Sequence, residues 1–197
     1  MTATRPTLRE RNRARARAEI VAAARRLFLR QGYAATSVEQ VAAEAGVAPR
    51  TVFRHFPRKE DLVFHRHAEE LGRFRRLLGE QPADRPTLDA LVDALLGLLR
   101  LEQHDDEPAE ERGELLALLE REPELRRRDE ALVADHHAAV VDFLAARGAD
   151  AQRAELLAGS FMGAIGAARR LVTLQPRTPP RDHLAAAVSL LRDLGWP

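Results

Sequence analysis

Apolar residues in this chain recur three and four positions apart from Arg11 almost to the C-terminus, and no window alternates with period two. The first spacing lines one face of a helix and the second one face of a strand, so an all-α fold is expected and no sheet. Composition agrees: leucine, alanine, arginine and glutamate, all strong helix formers, dominate, while aromatic and β-branched residues are scarce. The 197 residues suffice for a small head and a larger helical body. Cysteine is absent, which excludes disulfides, thiolate metal ligands and a cysteine nucleophile. No apolar run reaches the roughly 20 residues that a membrane span needs, and the Arg-rich N-terminus lacks the apolar segment of a secretory signal. A cytoplasmic protein is expected.

The densest pattern is Thr36–Lys59, TSVEQVAAEAGVAPRTVFRHFPRK. Thr36 is expected to cap a short helix, with Glu39 three residues on completing a capping box. Val38, Val41, Ala42 and Ala45 give that helix an apolar face, and Gly46 ends it because glycine accepts the left-handed exit. Val47 fills the corner, and Pro49 stands where a first helical turn tolerates a missing N–H. The second helix then turns Arg50, Thr51, Arg54 and His55 outward and Val52 and Phe56 back. Residues 37–56 therefore read as a helix-turn-helix whose second helix has the size and charge to enter a DNA major groove.

Charge supports the same reading. Residues 1–67 hold 14 Lys/Arg against 6 Asp/Glu, a balance of +8, and the remainder holds 17 against 24, a balance of −7. A basic head on an acidic body points to a polyanion met by the head alone. Ahead of it, residues 1–13 with Arg5, Pro6 and Arg9 read as a flexible basic arm, either a free tail or one reaching along the DNA. A first helix follows, with Ile20, Ala23, Ala24, Leu27 and Phe28 as its stripe and arginines around it, up to Gly32. Pro57 ends the second motif helix, and Lys59-Glu60-Asp61 should open a fourth that runs to about Gly79.

Residues 14–74, with GYAATSVEQVAAEAGVAPRTVFRHFPRKEDL at their centre, resemble the DNA-binding domain of the TetR family of transcriptional regulators. The turn glycine, the Thr-x-Phe-x-His-Phe run and the Lys-Glu pair all fall at that family's spacing. The resemblance implies a three-helix head joined by a linking helix to a larger helical effector-binding and dimerisation body, about nine helices in all. It also implies roles. Thr36 and Ser37, at a helix N-terminus, suit a phosphate. Thr51, His55 and Lys59 match positions that clamp the phosphate backbone, and Pro49, Arg50 and Arg54 match positions that face base edges. Arg50 is the leading base reader, because a guanidinium can bond the O6 and N7 of guanine together; Arg54 is either a second reader or a phosphate contact. Two positions depart from the family pattern. Ala48 stands where a hydroxyl commonly caps, a loss of about 1 kcal/mol, and Phe53, which the resemblance also places among the DNA-binding residues, stands where tyrosine is common, which removes a phenolic bond to phosphate. Both changes shift DNA contact onto cations and make affinity depend steeply on salt.

Gln81–Pro86, QPADRP, is the clearest break, so residues 80–197 form the expected C-terminal domain. Five helices are expected there: 87–103, one opened by Pro108, 123–147, 151–174 and a last one introduced by Thr178-Pro179-Pro180. The 151–174 helix is apolar on two faces. Leu156, Ser160, Gly163, Ala164, Ala167, Leu171 and Leu174 on one of them, with Leu184, Ala187, Val188, Leu190, Leu191 and Leu194 of the last helix, are expected to form a two-subunit four-helix bundle; the alternative is that one chain covers both faces. His136 lies at the centre of an apolar stripe that also holds Val140 and Phe143, as a satisfied core residue or as a polar fixture of a ligand pocket. On the family resemblance, the candidate effector residues are His136, His137, Val140, Phe143, Phe161, Ile165 and Arg112. Adjacent histidines point about 100° apart on a helix and do not share a metal ion easily. From about Arg112 to Gly148 the body is similar to TetR-family members with acyl-CoA-type effectors, and Arg112, Arg169 or Arg170 would either meet an anionic group or form surface salt bridges.

The expected function is that of a homodimeric, ligand-responsive regulator that binds a palindromic operator in double-stranded DNA. In the leading form it is a repressor released by a small apolar or amphipathic effector; an activator stays open. A helical-bundle enzyme fits poorly, because there is no Glu-x-x-His pair, no Gly-rich phosphate loop and no Gly-x-Ser-x-Gly elbow. No cofactor, metal or membrane partner is expected.

Overall fold

The computed structural model describes residues 7–102, 118, 121–175 and 177–196. Among these residues there are eight α-helices and no strand. The chain divides into two compact units, one running to His65 and including the short stretch that ends at Leu125, the other holding the rest.

In the first unit, α1 (Leu8–Gln31), α2 (Val38–Glu44) and α3 (Pro49–His55) are followed by a 3₁₀ turn at Lys59–Leu62. Ile20, Ala23, Ala24, Leu27 and Phe28 of α1 are buried, as the stripe predicts, together with Tyr33, Val41, Ala42, Val52, Phe56 and Leu62. Three expectations need correction. First, α1 begins at Leu8, inside the stretch read as a flexible arm. The Thr7 hydroxyl accepts the Glu10 N–H at 3.3 Å, and the Glu10 carboxylate accepts the Thr7 N–H at 2.7 Å. That reciprocal box starts the helix early. Second, the cap of α2 is Ser37. Its hydroxyl accepts the Gln40 N–H at 3.2 Å while the Gln40 side-chain oxygen accepts the Ser37 N–H at 2.8 Å. Thr36 is buried instead, and its hydroxyl donates to the Gly32 carbonyl at 2.8 Å, closing the turn between α1 and α2. Third, no single helix runs from Lys59 to Gly79: the 3₁₀ turn is separate, and α4 starts at His67.

The turn between α2 and α3 is built as the sequence suggests. Gly46 has φ +66°, a region costly for side chains other than glycine, and the Val47 N–H reaches back to the Ala42 carbonyl at 2.9 Å. Pro49 occupies the first turn of α3, and Ala48 supplies no side-chain cap.

The second unit contains α4 (His67–Gly79), α5 (Thr87–Glu102), α6 (Pro123–Ala146), α7 (Ala151–Leu174) and α8 (Pro180–Asp193). The first residues of α6 belong to the other unit. Its core joins Phe74 and Leu78 of α4, Leu88, Leu91 and Leu98 of α5, Val140 and Leu144 of α6, Ala158 and Phe161 of α7, and Leu191 of α8. Gly97 lets α4 approach α5, since a Cβ there would stand 3.3 Å from Leu77. The QPADRP break is a loop strapped by Arg147, whose guanidinium donates to the carbonyls of Pro82 and Arg85 at 2.5 and 2.6 Å. The helix expected from Pro108 lies outside the described residues.

Candidate functional site

The outward face of α3 carries Pro49, Arg50, Phe53 and Arg54, all exposed, with Thr51 half-buried beside them. Helical spacing explains the division: Val52 and Phe56, one turn apart, fasten α3 to the head and turn residues 50, 53 and 54 away from it. Neither Arg50 nor Arg54 has a carboxylate partner among the described residues. The face thus presents two guanidinium groups without carboxylate partners among the described residues, around a half-exposed phenyl ring.

The other residues expected to contact DNA sit differently. Ser37 is half-buried and spends its hydroxyl on the α2 cap. Thr36 is 2% exposed with its hydroxyl committed to Gly32, so it offers no group to a phosphate. Lys59 is drawn inward. Its ammonium donates to the Tyr33 carbonyl at 2.5 Å and lies 4.0 Å from the centre of the Tyr33 ring. Burial lowers its pKa, while Glu124 and Glu122 push the other way. Lys59 therefore pins the 3₁₀ turn to the end of α1 instead of standing free as a phosphate clamp. His55 is half-buried, and its Nε2 is shielded without a hydrogen-bond partner. Burial first, then the charges of Arg54, Arg13 and Arg17, lower its pKa. A neutral, shielded imidazole is a weak anion clamp.

One contributor escaped the sequence reading. Arg17 of α1 stacks its guanidinium 5.3 Å from the centre of the Phe56 ring and donates to the His65 carbonyl. It holds the exit of α3 against α1, which aims the outward face. The signal was present: extending the stripe Ile20, Ala24, Leu27 back by one turn lands on Arg17, so its stem had to run along the packed side.

The candidate effector residues do not converge on one cavity. His136 points towards α4, with its ring 5.3 Å from that of His67 and 5.7 Å from that of Phe74, and its Nδ1 lies 3.2 Å from the Leu132 carbonyl. Burial lowers its pKa, opposed by the Leu132 hydrogen bond. His137 points towards α7, where Nε2 lies 3.0 Å from the Glu155 carboxylate, on the rim of an open surface depression of about 370 Å³. Val140 and Phe161 are closed into the core at 0% and 1% exposure. Ile165 packs at its margin, and Phe143, also half-buried, lies under the Arg147 guanidinium at 4.7 Å. Arg112 lies outside the described residues. Arg169 is no free anion receptor, since it forks onto both oxygens of Asp129.

The proposed association face is partly redrawn. Leu184 and Leu191 are buried within their own chain, Leu191 as part of the core, and so offer little surface to a second subunit. The exposed large apolar side chains here are Leu156 and Leu174 of α7, Leu190 of α8 and Leu194, the residue that caps α8. Gly163 is exposed, and a Cβ on it would meet nothing within 4 Å. Ala164, Ala167, Leu171 and Ala187 are half-buried. Ser160 accepts the Trp196 indole N–H at 2.6 Å and donates to the Leu157 carbonyl, which folds the C-terminal end over α7.

The model of bacterial regulatory proteins of the tetR family matches residues 20–65, and the model of the MftR C-terminal domain matches residues 85–194. Over 94 residues the chain is 38% identical to the HTH-type transcriptional regulator TcmR of Streptomyces glaucescens, a stretch covering 48% of this chain and 42% of TcmR. The match thus spans less than half the length of that curated relative. Among solved structures, a SmeT–triclosan complex aligns with TM-score 0.69 at 16% identity over 91% of both chains. SmeT is the repressor of the SmeDEF multidrug efflux pump of Stenotrophomonas maltophilia. NalD of Pseudomonas aeruginosa, the secondary repressor of the MexAB-OprM pump, aligns with TM-score 0.63 at 21% identity over 93% of this chain and 95% of its own. Identities this low speak for a shared fold alone.

Proposed function

Because the chain belongs to the tetR family of bacterial regulatory proteins, we propose that it is a ligand-responsive, DNA-binding transcriptional repressor that acts as a homodimer in the cytoplasm. The observation that carries this is the outward face of α3, where Arg50 and Arg54 stand without carboxylate partners among the described residues, on a head of strongly positive charge. Phosphate attraction supplies affinity through such a head, and α3 supplies sequence reading in the major groove. Two subunits, joined through the exposed leucines of α7 and α8, set two copies of α3 against successive grooves of a palindromic site.

The effector is a small apolar or amphipathic molecule, a class to which triclosan, seen in complex with SmeT, belongs. Acyl-CoA thioesters are the amphipathic class to test first. Release follows if the effector binds the conformation whose heads no longer match the operator spacing better than the one that does.

Selection of bound fragments from random DNA tests the reading directly. A palindromic sequence should be enriched, with two chains bound per site and affinity falling steeply as salt rises. Arg50→Ala should then alter preference at particular base pairs. Absence of any enriched sequence would remove the proposal. A thermal-shift screen with acyl-CoAs, fatty acids and aromatic antibiotics, followed by operator release, identifies the effector class, and a reporter gene gives the direction of regulation.

A further inference from the structure

Phe28, Tyr33 and Phe56 of the head are buried to within 3% of closure, but Phe53 is 47% exposed in the middle of α3. Val52 and Phe56, both buried, already fasten the helix, and Phe53 leaves nearly half of its surface open on the outward side. Arg50 lies one turn before it on the same face and Arg54 directly follows, so the phenyl group is carried wherever the two guanidinium groups go.

A phenyl ring has neither donor nor acceptor. It cannot bond a phosphate, and it cannot bond the polar edge of any base. The one apolar group that the standard bases present in the major groove is the C5-methyl of thymine. Along the helix, three residues advance roughly 4.5 Å, against a base-pair rise of about 3.4 Å. A ring three residues after Arg50 therefore falls about one base step from the base that Arg50 contacts. We propose that Phe53 is a specificity residue that reads the methyl group of a thymine neighbouring the guanine bound by Arg50, in each half of the operator. This rests on the DNA-binding reading above and adds to it the chemical identity of one base.

The test starts from the sequence enriched by the full-length protein from random DNA. Each thymine of that sequence is replaced singly by deoxyuridine, which keeps every hydrogen bond and deletes only the methyl, and affinity is measured by gel shift. At one position beside a guanine the replacement should weaken binding by about fourfold in one half-site and about 15-fold in both. Uridine elsewhere should have no comparable effect. Phe53→Ala should bind the thymine and uridine operators equally, and Phe53→Leu, which retains an apolar side chain, should keep part of the discrimination. Both variants should remain folded, with cooperative melts, because nearly half of the ring is exposed. Failure to enrich any DNA would remove the DNA-binding reading itself. Enrichment followed by equal affinity of wild type for thymine and uridine operators would overturn this inference alone. So would a Phe53→Ala variant that still discriminates between them.

Discussion

Leu190→Gln separates association from folding on α8. Leu190 is 56% exposed in the single chain, so the protomer gains little from it, whereas a second subunit on α7 and α8 would cover it. Full burial of a leucine side chain is worth about 1.5–3 kcal/mol. The uncovered fraction therefore corresponds to about 0.8–1.7 kcal/mol per chain. Twofold symmetry counts the residue twice, giving about 1.7–3.4 kcal/mol and a dimer dissociation constant roughly 20- to 300-fold higher. Sedimentation velocity over a dilution series reads that constant, and circular dichroism reads the melting of the same samples. The control is the neighbouring Leu191→Gln, at 4% exposure a core residue. It should lower stability by about 3 kcal/mol or more through a cavity and a buried amide. An unchanged dissociation constant for Leu190→Gln, or a loss of folding as large as that of Leu191→Gln, would refute the assignment of this face.

Three further outcomes are expected. Ser37→Ala should destabilise the head by about 1 kcal/mol in thermal melts, because the α2 cap is lost. Gly163→Ala should stabilise the protomer helix by up to about 1 kcal/mol, since its Cβ meets nothing in the chain; Gly163→Leu should leave the protomer folded but weaken dimerisation in sedimentation. The pH dependence of stability should carry a signature of His136. Burial lowers its folded-state pKa below the ordinary 6.5, so below that value the unfolded chain binds more protons than the folded one. Its contribution is intact above about pH 6.5 and is lost as pH falls towards the folded-state value. Glu70, whose pKa burial raises, works in the opposite sense at lower pH. Comparison of melting temperatures from about pH 7.5 to about pH 5.5 should therefore show a steeper fall for wild type than for His136→Leu. Parallel curves would place His136 in water.

Much of the head was legible because its signals are local. A glycine with positive φ, a proline in a first turn and an apolar stripe act over one or two helical turns, and Gly46, Pro49 and the α1 stripe all stand where the sequence puts them. The errors fall where two neighbouring residues have equal local claims. Thr36 and Ser37 are both good caps, and the choice belongs to the path of the chain out of α1, which draws Thr36 under Gly32. His136 and His137 are both half-buried, yet one meets α4 and the other α7. Lys59 reads as a free cation until the turn that carries it folds back onto Tyr33.

The sequence by itself determined an all-helical chain with a basic helix-turn-helix head, since periodicity, capping and the segregation of charge need no distant partner to take effect. Tertiary structure alone decided which side of each helix is left over. Adjacent positions on a helix lie about 100° apart, and an apolar stripe is wide enough to contain both Leu190 and Leu191. Only the packing of α8 on α7 sends Leu191 into the core and leaves Leu190 for a partner. On α3 the spacing alone set Arg50 and Arg54 outward and Val52 and Phe56 back, but only the packing brought Arg17 onto Phe56 and left Phe53 exposed beside the two arginines.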